Sequence, residues 1–150
     1  MSASPDIAHG EDVEQLVDLL GLLFAQEAEF APHAQKQRRV LRKIIADESL
    51  GRVYVAREAG CVVGMCSLLY TVSTAEGGKA AWFEDLVVRP ERRGCGIGRM
   101  LLEHAIGRAR ADGVLRITLL SDADNKRAHA LYRKLGFVHS PMRTMRLHLR

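Results

Sequence analysis

Val13, Leu16, Val17, Leu20, Leu23 and Phe24 recur at helical spacing behind the acidic pair Glu11 and Asp12. This periodicity predicts a helix over residues 11–27 with one stripe turned to a core. A second helix is predicted over residues 34–46, where Val40, Leu41, Ile44 and Ile45 make the buried edge and Gln35 to Arg39 the wet one. The segment between them, Gln26 to His33, is too polar for a core and too short for a domain linker.

The period then changes to two. Val53 and Val55 alternate with Tyr54 and Ala56 in Arg52 to Arg57, Ala59-Gly60 makes a turn, and Cys61 to Tyr70 returns as the second arm of a hairpin. Gly64 inside that arm marks a bulge. After a flexible connection through Gly77-Gly78, a third strand is expected over Ala81 to Val88, apolar on both faces except for Glu84 and Asp85. Pro90 closes it, and Ile97, Leu101, Leu102, Ala105, Ile106 and Ala109 stripe a helix that ends near Ala111 before Asp112-Gly113. Val114 to Leu120 is a fourth strand, and Asp124 to Leu135 a helix stopped by Gly136. Phe137 and Val138 begin another strand, and Met145, Leu147 and Leu149 alternate with Thr144, Arg146 and His148 in a half-exposed final one. The order of elements means a mixed α/β sheet with helices on both sides, in a single domain spanning residues 1–150.

Between the third strand and its helix lie Gly94, Gly96 and Gly98 with Arg89, Arg92, Arg93 and Arg99 around them. Glycines let a backbone bring its N–H groups close to a ligand, and the helix start adds unpaired donors and a positive dipole end. Arginine forks suit phosphate oxygens, so the turn reads as a cradle for a polyphosphate. The net charge of +4 fits such a ligand without invoking nucleic acid, and aromatics at 5% leave little for base stacking. The 150 residues suffice for a real core without a metal or disulfide. Three cysteines, an odd number behind no secretory leader, predict reduced thiols and a cytoplasmic location. No metal-ligand spacing occurs among the cysteines and histidines, and no apolar run approaches the roughly 20 residues that cross a bilayer.

The P-loop run Gly-x-x-x-x-Gly-Lys is absent, and the glycine spacing is wrong for a dinucleotide fold. Arg93-x-x-Gly96-x-Gly98 after Val87-Val88-Arg89-Pro90 instead resembles the acyl-CoA signature of the GNAT superfamily of N-acyltransferases. A second block agrees: Asn125, Ala128, Leu131-Tyr132 and Leu135-Gly136-Phe137 are similar to that family's later motif. The resemblance implies a mostly antiparallel sheet whose strands four and five splay apart after a bulge. It implies acetyl-CoA as co-substrate and no metal, with the pantetheine arm along Leu86, Val87 and Val88. The pyrophosphate would rest on Arg93, Gly94, Cys95, Gly96, Ile97, Gly98 and Arg99, and Asn125 and Tyr132 would meet the CoA arm.

For the chemistry, an alkylamine of pKa about 10.4 is almost all ammonium at neutral pH, so its proton must be removed. The resemblance makes Glu84 the base, acting through water, the Leu86 N–H the donor to the thioester carbonyl, and Tyr132 the acid for the departing thiolate. Periodicity alone reads Tyr132 as a core aromatic, Asn125 as a helix cap and Glu84 as a surface carboxylate or a partner for an arginine. Asp85 points the other way along the strand, and the Cys95 side chain reads as filler. The run Phe83-Glu84-Asp85-Leu86-Val87-Val88 is similar to the diamine and polyamine acetyltransferase branch, and Glu27, Glu29, Phe30 and Glu84 would form a pocket for a small cationic amine. Aminoglycoside, amino-acid-like and protein amines stay open as acceptors, as do a CoA-sensing module without catalysis and nucleic-acid binding through Arg143, Arg146 and Arg150. The edge of the final strand suggests a homodimer.

Overall fold

The computed structural model describes residues 2–27 and 30–150. These fall into two compact units, residues 1–120 and 121–150. The first holds a five-stranded sheet in sequential order: β1 (Ser4–Ile7), β2 (Gly51–Glu58), β3 (Cys61–Ser73), β4 (Gly78–Val88) and β5 (Ile117–Leu119). The first three pairings are antiparallel and β4–β5 is parallel, which makes a mixed and mostly antiparallel sheet. Its helices are α1 (Val13–Gln26), α2 (Ala34–Ala46) and α3 (Ile97–Ala111).

The pleat assigns the two faces. Val53, Val55, Met65 and Val87 pack with Leu16, Leu19 and Leu20 of α1 and Leu41 of α2 in one buried cluster. On the other face α3 comes so close that a Cβ on Gly64 would lie 3.2 Å from Ile97, Leu101 and the Val87 carbonyl. Tyr54 there meets His104 of α3 edge to face, with ring centroids 5.0 Å apart. Gly64 also adjoins a register shift in the β2–β3 ladder, where Ala56 pairs Gly64 and Arg57 pairs Val62. The Ala59-Gly60 turn of that hairpin has positive φ at both residues, 52° and 80°, as a tight hairpin with native twist requires.

Four elements depart from expectation. β1 was not foreseen, because Ser4–Ile7 contains Pro5 and Asp6 and lacks alternation. It is held from outside, by Arg57 of β2: Nε lies 2.9 Å from Asp6, and the guanidinium grips both oxygens of the buried Asp12 carboxylate at 2.7 Å. β5 is shorter than Val114 to Leu120, because Val114 bonds back to Ala109 and Leu115 to Lys79 before the ladder begins. In the second unit α4 (Lys126–Lys134) forms as expected, and Gly136 takes a φ of 99° just beyond it. The strands expected at Phe137–Val138 and over 143–150 are corrected: residues 137–150 carry no strand. Met145, Leu147 and Leu149 are 84–96% exposed, and alternation without a neighbouring ladder cannot hold a strand.

Candidate active site

β4 is where the sheet opens. Its ladder with β5 covers only Ala81–Phe83 against Ile117–Leu119, so among the described residues no strand pairs with β4 on that side from Glu84 to Val88. Just past Phe83 lies a bulge: Ser67 pairs Glu84 and Met65 pairs Val87, which sets Asp85 and Leu86 against Cys66 alone. Asp85 takes a φ of 58° there. After the bulge Arg89 donates its N–H to the Val63 carbonyl at 2.8 Å. Alternation along an antiparallel pair then turns the amides of Leu86 and Val88 away from β3, toward the edge that β5 has left.

The glycine turn follows directly. Gly94 and Gly96 have φ of 75° and 81°, values that L side chains resist, and Gly96 is the N-cap of α3 with no side chain capping it. Gly98 is inside the helix, and a Cβ there would touch only Val88, at 4.0 Å. The first turn of α3 thus offers free N–H donors over a surface of backbone, and Cys95 between the glycines is exposed. Among the four arginines, Arg92 is committed to Glu58, with Nε at 3.1 Å, and Arg89 Nε donates to the Val62 carbonyl at 2.9 Å. Arg93 Nε reaches the Val88 carbonyl at 3.1 Å, and Arg99 pairs with Glu103 on the helix surface at 2.7 Å. Two left-handed glycines, an uncapped helix start and a strand edge with free amides fit the pyrophosphate and amide-rich arm of a CoA thioester.

Two acidic residues sit at the opening and a third has its charge within reach. Glu84 is exposed in β4, on the pleat side shared with Ser67. Asp85 is half-buried, and burial first, then the charges of Glu84 and Glu27, pushes its carboxyl up to about 7. Glu27 is the C-cap of α1, and Phe30 beyond it packs on Phe24 with the rings tilted by 59° and 5.9 Å between centroids. Glu29 lies outside the described residues. Strand alternation alone could not reveal the position of Asp85, since the bulge comes from the register with β3. The available signal was two adjacent acids in an otherwise apolar strand. A cleft of about 410 Å³ between α1 and α2 reaches Arg89 but includes neither these acids nor the glycine turn.

In the second unit, Asn125 caps α4, its side-chain oxygen accepting from the Ala128 N–H at 3.2 Å. Tyr132 packs edge to face on Phe137, with centroids 5.9 Å apart. The Leu135-Gly136-Phe137 stop folds back locally, the Phe137 N–H donating to the Tyr132 carbonyl at 3.0 Å.

The acetyltransferase (GNAT) family matches residues 16–137. Glucosamine 6-phosphate N-acetyltransferase of Trypanosoma brucei brucei is 33% identical over 99 residues, 65% of each chain. Thialysine N-epsilon-acetyltransferase of Bos taurus is 37% identical over 76 residues, 51% of this chain and 44% of that one. The chain therefore spans less than two thirds of either relative's length. Among solved structures, a putative acetyltransferase from Agrobacterium tumefaciens str. C58 superimposes with a TM-score of 0.82 at 27% identity, covering 97% of this chain and 99% of that one. The splayed strand, the glycine turn and these likenesses agree, and the chain belongs to the GNAT family of acetyltransferases.

Proposed function

We propose that this protein is an N-acetyltransferase that moves the acetyl group of acetyl-CoA directly onto a primary amine, with residues 1–150 acting as one catalytic domain. The observation that carries the reading is the glycine turn at Gly94 and Gly96, opening α3 beside a β4 edge that β5 has left. When bound, acetyl-CoA supplies an activated thioester carbonyl and a thiolate leaving group. The chain's own groups do the rest. Amides from Arg93 to Arg99 hold the pyrophosphate, and those of Leu86 and Val88 hold the arm as a short added strand. The Leu86 N–H meets the carbonyl oxygen where negative charge develops, and needs no side chain to do so.

The acceptor is a small cationic amine. Glu84 and Glu27 favour an ammonium near the thioester, and a carboxylate of this strand removes its proton, directly or through one water. The name of the bovine relative, a transferase for the ε-amine of thialysine, supports a flexible alkylamine; that of the trypanosomal relative, an amino sugar phosphate, keeps a sugar amine in the test panel. Tyr132, whose motif resembles the family's later block, protonates the departing thiolate. A phenol of ordinary pKa about 10 is within reach of a thiol near 8.5 for that transfer.

Free-thiol release from acetyl-CoA at mildly alkaline pH, across polyamines, lysine analogues, amino sugar phosphates, aminoglycosides and short peptides, tests the reading. Turnover is expected with an alkylamine, falling about 10²-fold in Tyr132→Phe with acetyl-CoA affinity unchanged. Acetyl-CoA binding with no turnover on any amine would replace the transferase with a CoA-sensing module.

A further inference from the structure

We infer that the acceptor amine carries a second group of negative charge, a carboxylate or a phosphate, and that Arg89 binds it in the cleft between α1 and α2. The inference rests on the acetyltransferase reading above and narrows its acceptors to amines with an anionic end.

Arg89 is turned away from the glycine turn. Val87 packs in the cluster under α1 and α2, whereas Val88 faces α3, 4.0 Å from where a Cβ on Gly98 would lie. Alternation returns Arg89 to the side of Val87, and it lines the cleft with Val17, Asp18, Gly21 and Leu22 of α1 and Gln37 of α2. An anion held there lies on the opposite side of β4 from the pyrophosphate cradle, so it belongs to the acceptor and not to CoA.

The guanidinium is anchored but not neutralised. Arg89 is half-buried, its backbone N–H donating to the Val63 carbonyl at 2.8 Å and its Nε to the Val62 carbonyl at 2.9 Å. Among the described residues its two terminal nitrogens enter no hydrogen bond and no ion pair. The half-buried Arg57 and Arg92, by contrast, are each closed by carboxylates. A fork fixed at Nε presents its remaining donors in one plane, which suits a carboxylate or phosphate. Gln37 adds a donor: its side-chain oxygen accepts the His33 N–H at 2.8 Å, which leaves its NH2 group for a ligand. Asp18, exposed on α1, suits an ammonium carried next to that anion, as on an α-amino acid.

Size and span agree. The cleft encloses about 410 Å³, enough for a small molecule. Gly21 keeps it open. A glycine inside a helix weakens it, and a Cβ on Gly21 would meet nothing within 4 Å, so no close packing demands the bare position. Leu86, whose amide is turned to the open edge, precedes Arg89 by three residues, about 10 Å of extended chain. A lysine-length chain covers that span, with its amine at the thioester and its anion at Arg89.

Two matched pairs of amines, assayed on the full chain by thiol release, test the assignment: lysine against cadaverine, and glucosamine 6-phosphate against glucosamine. Each pair differs by one anionic group, and the pair that discriminates tells carboxylate from phosphate. The unsubstituted protein should prefer the anionic member of one pair by about tenfold or more in kcat/KM, chiefly through KM. Arg89→Gln should bring that ratio close to one, and Arg89→Lys, which keeps the charge without the fork, should restore it in part. A ratio within one enzyme is insensitive to a general loss of folded protein. Gly21→Leu fills the cleft without touching Arg89: it should melt no lower than the parent and also lose the preference. Acetyl-CoA affinity by isothermal titration should stay within about twofold in Arg89→Gln. Turnover confined to amines without an anion, or an Arg89→Gln enzyme with the parent's ratio, would overturn the inference while leaving the transferase intact. So would a tenfold loss of acetyl-CoA affinity in Arg89→Gln, which would make Arg89 a contact of the CoA phosphates. No turnover by the unsubstituted protein on any amine would overturn both.

Discussion

Asp85 is a residue the fold holds at a cost. Its carboxyl titrates above the ordinary carboxylate value of about 3.9, so the folded chain keeps a proton that the unfolded chain releases between about pH 4 and 7. A raised pKa of this kind withdraws stability as pH rises through that window. Asp85→Asn should therefore be more stable than the parent at pH 8, by on the order of 1–3 kcal/mol, with the difference closing near pH 4 in thermal melts. Equal melting temperatures at pH 8 would mean that the carboxylate is solvated. At this scale much was legible before the fold: the glycines, Asn125 at a helix start and Glu84 in an otherwise apolar strand are all marked by residue type and spacing. Asp85 was not, because two-against-one pairing depends on where β3 lies, and no spacing within β4 records it.

At the scale of elements, the strand–turn–helix of 78–111 holds the glycine turn. Its glycines are not equivalent. Gly96 needs a left-handed backbone at the N-cap of α3, and an alanine there costs about 1–2 kcal/mol, relieved by shifting the amides of the helix start. Gly98 has ordinary helical geometry with room beside it. Isothermal titration with acetyl-CoA should thus show Gly96→Ala binding about tenfold or more weakly, whereas Gly98→Ala stays within about twofold. Equal losses would place the contact on the helix rather than at its cap. The periodic elements, α1, α2, α3 and the β2–β3 hairpin, were readable because each buries one face and so writes its period into the chain. The alternation over 143–150 was equally clear yet corresponds to no strand, since alternation states which face is apolar and not whether a neighbouring strand is present.

For the molecule as a whole, the N-terminal segment is joined to the sheet by charge. Arg57 grips Asp6 and the buried Asp12, and the guanidinium holds both carboxyls below their ordinary values. A lowered folded pKa contributes stability above about pH 4 that disappears as pH falls through it. The urea midpoint should accordingly drop as pH falls below about 4, and Arg57→Leu should cost about 3–5 kcal/mol at pH 7 while flattening that dependence, because a buried carboxylate is left unpaired. An unchanged acid limb in the variant would assign the loss to other carboxylates. Period and turn residues were enough for the sequence by itself to determine the helices, the hairpin and the glycine turn that opens α3, because each is a local property of neighbouring residues. Only the tertiary structure decided the β1 edge, the short β5, the opening beyond Phe83 and the bulge that sets Asp85 and Leu86 against Cys66. Each of these depends on the register between distant strands or on a charge pair 45 or 51 residues apart in sequence, relations that no local pattern encodes.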